Sequence, residues 1–289
     1  MNFRFGKRQH GSKKARLGNR RKRVLTIKMA IMFLTAIVFA GIFVWVTQLE
    51  ELKISSIKVE GNTTVSKEAI YDLVLEQISG AYVYFIPRSN GLFFPDEKVK
   101  REIRESFFRI KDVSISQDTV ANVLVTVIER EPFALWCGET YSESIEVLGS
   151  CYFLDEQGYV FAKSPDFSGD IFFKYFGVLK KKGTQEEYDP IGKYFEDPDF
   201  FTELSIFITS LRSIDVVPLV LIRTNGFDMD IVFRDGSHMY FSNDQDFATL
   251  FDNFESVRDS DVIIDALNRG EILEYLDFRF GNKVFYRCK

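Results

Sequence analysis

The sequence of 289 residues is poor in the side chains that most catalytic and metal sites need. It holds only two histidines, His10 and His238, and three cysteines. It contains no CxxC, no HExxH, no glycine-rich phosphate loop and no dinucleotide fingerprint. A Ser-His-Asp or Cys-His catalytic set in the folded part of the chain would have to use His238. Three cysteines are also too few for a fold that is held together mainly by disulfide bonds. We therefore expect no enzyme, no metal, no cofactor and no small-molecule substrate.

Acidic residues are absent from the N-terminal region, since the first carboxylate is Glu50. Residues 1–28 hold 11 of the 37 basic residues, which leaves 26 basic and 42 acidic residues in 29–289, a net charge of −16. A nucleic-acid-binding tail is the alternative for this basic arm, but Phe3 and Phe5 are its only stacking residues, so we expect no nucleic-acid partner. We expect the arm to determine the orientation of the chain in a membrane and to contact anionic membrane lipids.

A run of 21 uncharged residues, 29–49, follows the arm. At about 1.5 Å of rise per residue, a helix of this length spans roughly 30 Å, the thickness of the hydrocarbon layer of a bilayer. A cleaved signal peptide is the alternative, but its apolar region is about 7–15 residues long and precedes a small-residue cleavage site. This run ends in the bulky sequence WVTQL. We predict an uncleaved transmembrane helix, with the basic arm in the cytoplasm and residues 50–289 on the extracytoplasmic side of the membrane.

Residues 52–131 show short elements in the order β-α-α-β-β. The pattern begins with a strand at Ile54–Val59, and Ser66 stands at the start of the first helix. It ends with two strands, Val113–Ser116 and Val123–Ile128.

Residues 132–289 read mainly as β structure with two helices. Hairpin turns are predicted at Gln157-Gly158 and Asp235-Gly236. Helices are predicted at Phe200–Ser213 and Asp244–Val257, the second with Asn243 as its N-cap. Lys180–Asp197 is predicted to be an exposed loop.

The order of these parts resembles one bacterial family. The runs IKVEGNTTVSKEAI at 57–70 and VTVIEREPFALW at 125–136 resemble a POTRA domain. One such unit after a single basic-flanked anchor resembles the cell-division family FtsQ/DivIB, as do CYFLDEQGYVF at 151–161 and YLDFRF at 275–280. The resemblance implies an α+β fold with a single transmembrane helix, a POTRA domain at 52–131 and an FtsQ-type β domain with flanking helices at 132–289. It also implies a non-catalytic divisome scaffold in the cell (inner) membrane at the division septum.

The terminal segment Glu274–Tyr286 is the candidate binding site. As the final strand of the chain, it is expected to accept a partner strand by β-augmentation. The alternative is that its aromatic side chains pack into the domain core. The resemblance implies that this region binds FtsB/DivIC-type and FtsL-type division proteins and recruits them to septal cell-wall synthesis. Carried over by position, the partner-binding residues are Tyr275, Asp277, Arg279, Val284, Phe285 and Tyr286. The match is looser after Phe280, where a bulge or turn at Gly281-Asn282-Lys283 is the alternative to a continuous strand.

Two smaller features leave alternatives open. Cys137 ends one strand pattern and Cys151 begins the next, so antiparallel pairing would bring the thiols together as a disulfide; the alternative is two independent buried residues. The aromatic loop Ala81–Phe94 is expected to pack locally, with a membrane-surface or partner contact as the alternative.

Two other functions remain as alternatives at this stage. POTRA domains also occur in outer-membrane assembly and secretion components. A membrane-anchored hydrolase of cell-wall glycans would need a carboxylate pair such as Asp228 and Asp230.

Overall fold

The computed structural model describes residues 12–82, 84–141, 151–167, 171–180, 189–224, 227–281 and 283–289. The chain divides into two compact units. The first consists of Met1–Asn62, Ser66–Ile103 and Val113–Val127, and the second of Thr63–Val65, Arg104–Asp112 and Ile128–Lys289.

The first element, α1 (Ser12–Thr47), is a helix of 36 residues. It contains no proline, and its apolar part has one glycine, Gly41, so the residues least favourable to a helix are almost absent. It begins well inside the basic arm and ends at Thr47, two residues before the predicted end of the span. The segment Lys22–Thr47 is long and apolar enough to cross a membrane, with its side chains mostly exposed.

A three-stranded sheet with two helices follows α1. Its elements are β1 (Ser56–Glu60), α2 (Lys67–Ile78), α3 (Asp96–Ser106), β4 (Ile110–Thr119) and β5 (Asn122–Glu129), with a short hairpin of β2 (Ala81–Tyr82) and β3 (Ile86–Pro87) between the helices. The strand order is β1-β5-β4, and β1 is parallel to β5. The predicted order of the main elements is confirmed; the hairpin was not predicted.

Local signals explain where α2 begins and how it packs. The Oγ of Ser66 accepts a hydrogen bond from the N–H of Ala69 at 3.2 Å, which satisfies one of the unpaired donors in the first turn. The apolar side chains of α2 at helical spacing are buried, namely Ile70, Val74 and Ile78. Gly80, with a φ of 84°, follows the helix in the left-handed conformation that glycine adopts readily.

Glu129, at the end of β5, holds a segment distant in sequence. Its Oε1 accepts hydrogen bonds from the backbone N–H groups of Thr63, Thr64 and Val65 at 2.7, 2.9 and 2.9 Å. Burial alone would raise the pKa of Glu129, but these donors stabilise the carboxylate and lower its pKa to about 2.

A nine-stranded mixed sheet with three helices makes up most of the second unit. Its strands are β6 (Ala134–Trp136), β7 (Tyr152–Leu154), β8 (Val160–Lys163), β9 (Lys174–Phe176), β10 (Pro218–Arg223), β11 (Asp228–Phe233), β12 (His238–Ser242), β13 (Leu273–Phe280) and β14 (Lys283–Cys288). The helices are α4 (Pro198–Ser213), α5 (Phe247–Arg258) and α6 (Asp261–Asn268). The strand order is β14-β13-β12-β11-β10-β9-β6-β7-β8.

Hydrophobic clusters lie on both faces of this sheet. On one face, Phe201 and Leu204 of α4 and Leu250 of α5 belong to the same buried cluster as Ile231 and Phe278 of the sheet. On the other face a smaller cluster forms around Leu135, Phe153, Phe161, Phe176, Val220 and Val232. The nine strands confirm the prediction of mainly β structure for 132–289. Both predicted hairpins, β7–β8 and β11–β12, are also confirmed.

Two predictions about helices need correction. Helix α5 begins at Phe247 and not at Asp244, and its N-cap is Asp246 and not Asn243, because the Asp246 carboxylate accepts the N–H of Thr249 at 2.8 Å. The side chain of Gln245 binds the N–H of Ser242 and the carbonyl of Phe278, which keeps the preceding residues in a turn. Helix α6 was not predicted at all.

The predicted loop Lys180–Asp197 is wrong over its second half. Residues 181–188 lie outside the described residues, but Phe195 is fully buried. Glu196 is also buried, and its carboxylate forms ion pairs with Lys180 and Arg223. A buried carboxylate needs such partners, so this stretch belongs to the folded core.

Candidate functional site

The candidate site is the terminal hairpin formed by β13 and β14. These strands are antiparallel, with Leu276 opposite Tyr286 and Asp277 opposite Phe285. Gly281, in the turn between them, has a φ of 64°. On its other side β13 pairs in parallel with β12 through Tyr275, Leu276 and Asp277.

Strand β14 is the first strand of the nine-stranded sheet, so one of its sides has no neighbouring strand within the described residues. Ile272 and Lys289 exchange backbone hydrogen bonds of 2.8 and 3.0 Å, which shows that the N–H of Lys289 points towards β13. Both register irregularities of the hairpin add the extra residue to β13, so β14 itself is regular. Because N–H groups alternate along a strand, those of Val284, Tyr286 and Cys288 point to the unpaired side.

The predicted site residues are divided between the two strands. Tyr275, Asp277 and Arg279 lie on β13, which has strands on both sides, and therefore not on the sheet edge. Of the two alternatives for this segment, a continuous strand or a turn after Phe280, the structure shows the turn, so the backbone at the sheet edge belongs to β14 alone. Whether the six side chains bind a partner stays a prediction.

The three residues predicted on the later segment differ in exposure. Val284 is partly buried and packs against the core cluster on the helix-covered face. Phe285 and Tyr286 are about half exposed and, as consecutive residues of a strand, point to opposite faces of the sheet. Phe280 at the end of β13 is exposed, with its ring centroid 5.0 Å from that of Phe285. The edge therefore carries exposed aromatic side chains next to its unpaired backbone groups.

Arg279 is held by two carboxylates on the face of the sheet opposite the helices. Its Nε and Nη2 donate to the two oxygens of Asp277 at 2.9 and 2.6 Å, and its Nη1 donates to Asp228 at 2.9 Å. The hydrogen bonds to Asp277, followed by those to Asp228, raise the pKa of Arg279 above its usual value. The guanidinium carbon lies 5.2 Å from the centre of the Tyr240 ring.

His238 and Asp230 form a second polar contact on neighbouring strands. The Nδ1 of His238 lies 3.0 Å from the Oδ2 of Asp230. Burial raises the pKa of Asp230, while the contact with His238 acts in the opposite direction. Sequence reasoning missed this pair, although the hairpin register at Asp235-Gly236 would have brought β11 and β12 together.

The two carboxylates named for glycan hydrolysis each contact a basic side chain. Asp228 binds Arg279, and Asp230 contacts His238. Across the described ranges, no group of three or more His, Cys, Asp or Glu side chains could hold a metal ion.

Cys137 and Cys151 are joined in a disulfide bond. Strands β6 and β7 are antiparallel, with Trp136 opposite Tyr152, so the next residues outward meet at the end of the pair. The bond closes a segment with a sequence separation of 14.

No protein-family model matches the chain, and a search of curated proteins finds no match.

Proposed function

We propose that this protein is a non-catalytic, membrane-anchored scaffold of the bacterial divisome, similar to the FtsQ/DivIB family. In this proposal it binds FtsB/DivIC-type and FtsL-type proteins and recruits them to septal cell-wall synthesis. The observation that carries the proposal is the unpaired edge of β14, which offers backbone donors and exposed aromatic side chains side by side.

The first 60 residues support the anchored arrangement. A membrane-spanning length of apolar helix follows a basic arm, and Glu50 and Glu51 stand immediately beyond the helix. Basic residues remain on the cytoplasmic side of a membrane, so we propose a cytoplasmic N-terminus and extracytoplasmic domains. The disulfide between Cys137 and Cys151 fits an oxidising compartment outside the cytoplasm.

The region after the anchor supports a POTRA assignment for 52–131. Its main elements follow the order β-α-α-β-β, with the strand order β1-β5-β4. We propose that this domain and the β domain at 132–289 form two binding modules in series, of which the second provides the β14 edge.

Tyr286 allows the backbone of the edge to be tested separately from its side chain. Its N–H points away from β13, so Tyr286→Pro removes a donor on the open side and leaves the inward hydrogen bonds of β14 intact. Tyr286→Ala removes the aromatic ring and keeps the N–H, which makes it the matched control.

The measurement is the affinity of the full chain in nanodiscs for the FtsB/DivIC-type protein of the same organism. Loss of one backbone hydrogen bond together with the steric effect of the proline ring costs about 1.5–3 kcal/mol, so Tyr286→Pro should bind at least roughly tenfold more weakly than Tyr286→Ala. Equal affinities of the two variants, both with native thermal stability, would remove strand pairing from the mechanism. If the unaltered chain does not bind this protein, the proposed partner is wrong.

A further inference from the structure

The aromatic segment Ala81–Phe94 packs against the C-terminal end of α1. The Nδ2 of Asn90, which is buried, donates to the carbonyl of Thr47 at 2.8 Å. The Nε2 of Gln48 donates to the carbonyl of Phe85 at 3.4 Å. All of these residues belong to the first unit, so the segment has a defined position beside the helix.

One ring contact fixes the depth of this segment. The ring of Phe93 lies edge-on to the ring of Phe43, with centroids 6.2 Å apart. Phe43 is six residues inside the end of the uncharged run at Leu49, about 9 Å along the helix axis at 1.5 Å per residue. If the run spans the hydrocarbon layer, Phe43 lies about 9 Å below the boundary with the headgroups, and Phe93 lies beside it on the hydrocarbon side of that boundary.

Three apolar side chains of the segment are largely exposed. Tyr84 is 95% exposed, and Phe85 and Leu92 are each 60% exposed. Tyr84 has a φ of 66°, a conformation that is uncommon for a residue other than glycine and that here belongs to the turn of a short hairpin. Local packing, the expectation from sequence, therefore accounts for Asn90 and Phe93 but not for these three side chains.

We propose that Tyr84, Phe85 and Leu92 insert into the interface of the membrane leaflet that faces away from the basic arm. Aromatic side chains are enriched at this depth, and Trp45 on α1 is exposed at the same level. Continuity with α1 determines the occupant: a surface beside the last turns of a membrane-spanning helix meets lipid. The proposal rests on the membrane span that is part of the proposed function.

Charge at the segment fits a phospholipid surface. The guanidinium carbon of Arg88 lies 5.5 Å from the centre of the Tyr82 ring. Arg88 has no ion pair with any side chain in the described ranges, and its Nε is buried with no hydrogen-bond partner there. In this proposal the guanidinium of Arg88 binds lipid phosphates at headgroup level. The segment would then act as a second contact that limits rotation and tilt of the following domain.

The test uses the full chain in phosphatidylcholine nanodiscs with an environment-sensitive NBD label. The background variant Cys288→Ser leaves no reduced cysteine, since Cys137 and Cys151 are bonded to each other. Single labels are placed at Tyr84→Cys and, as a second position that does not depend on the unusual backbone of Tyr84, at Leu92→Cys. The matched control is Lys67→Cys. Lys67 is exposed at the N-terminal end of α2, about 17 Å along that helix from Ile78, the end that leads into the aromatic segment.

We expect blue-shifted emission at both segment positions and loss of intensity when the nanodiscs contain lipid with a doxyl quencher at acyl carbon 5. The label at position 67 should show neither effect. Emission at positions 84 and 92 equal to that at position 67 would overturn the proposal, and so would a blue shift that appears only after addition of a protein partner. A chain that does not remain with the nanodiscs would instead remove the membrane span and the proposed function with it.

Discussion

Substitution of Arg279 tests whether this residue of the candidate site has a structural role in addition to the predicted role in binding. Arg279→Met keeps an apolar stem of similar length but leaves the carboxylates of Asp277 and Asp228 without their shared cation. Asp277 is almost fully buried, whereas the Arg279 side chain is 31% exposed and that of Asp228 is 39% exposed. The free-energy cost should therefore lie between that of a surface pair and that of a fully buried pair.

The structure allows that cost to be bounded. Breaking a buried ion pair costs about 3–5 kcal/mol and a surface pair about 0–1 kcal/mol, so we expect about 2 kcal/mol for Arg279→Met. For a unit of this size, about 2–4 °C per kcal/mol converts this loss to a fall of roughly 4–8 °C in Tm. The assay is thermal unfolding of the full chain in detergent, followed by the fluorescence of Trp136, which is buried in the same unit.

Arg287→Met provides the control on the neighbouring strand. Arg287 pairs with Glu274 at 3.0 Å, but its side chain is 64% exposed, so its loss should cost less than about 1 kcal/mol. An unchanged Tm for Arg279→Met, or an equal fall for both variants, would refute the conclusion that Arg279 is held as part of the fold.

Three further predictions concern stability. For Glu129→Gln we expect a loss of about 1–2 kcal/mol in the free energy of unfolding at pH 7, which is less than the full pKa shift implies because the carboxylate is partly solvated. The loss should disappear as the pH falls from 4.5 towards 2 in acid-unfolding curves, and a pH-independent difference would contradict the prediction. Replacing Cys137 and Cys151 by serine should cost about 3 kcal/mol in urea unfolding, the value expected for a closed loop of this length; reduction of the unaltered chain should give the same loss, and no loss would contradict it. Gly158→Ala should lower Tm because the glycine has a φ of 75° and an added Cβ would lie 2.7 Å from the ring of Phe201; Gly138→Ala, also at positive φ but with open space, is the control, and equal effects would exclude the clash.

Much of the fold could be predicted because local signals and the fold agree. The turns at Gln157-Gly158 and Asp235-Gly236 predicted two hairpins, and the Ser66 cap predicted the start of α2. The start of α5 could not be found in this way, because the contact of Gln245 with the carbonyl of Phe278 is 33 residues away in sequence.

The candidate site could be predicted only in part. Its location in the terminal segment follows from the strand pattern, but the assignment of Tyr275 and Tyr286 to different strands depends on the turn at Gly281 and on pairing with β12. Charge partners were also hidden, since Asp228 and Arg279 are separated by 51 residues. Phe195 and Glu196 show the same limit: their surroundings are supplied by distant strands, while the local sequence is polar and rich in turn formers.

The most direct test of the central claim is the position of the protein in dividing cells. A fluorescent tag at the N-terminus, on the cytoplasmic side in this account, should give a band at midcell. That band should depend on the extracytoplasmic region. A signal spread evenly over the membrane, with no band in cells that are constricting, would contradict a role in division.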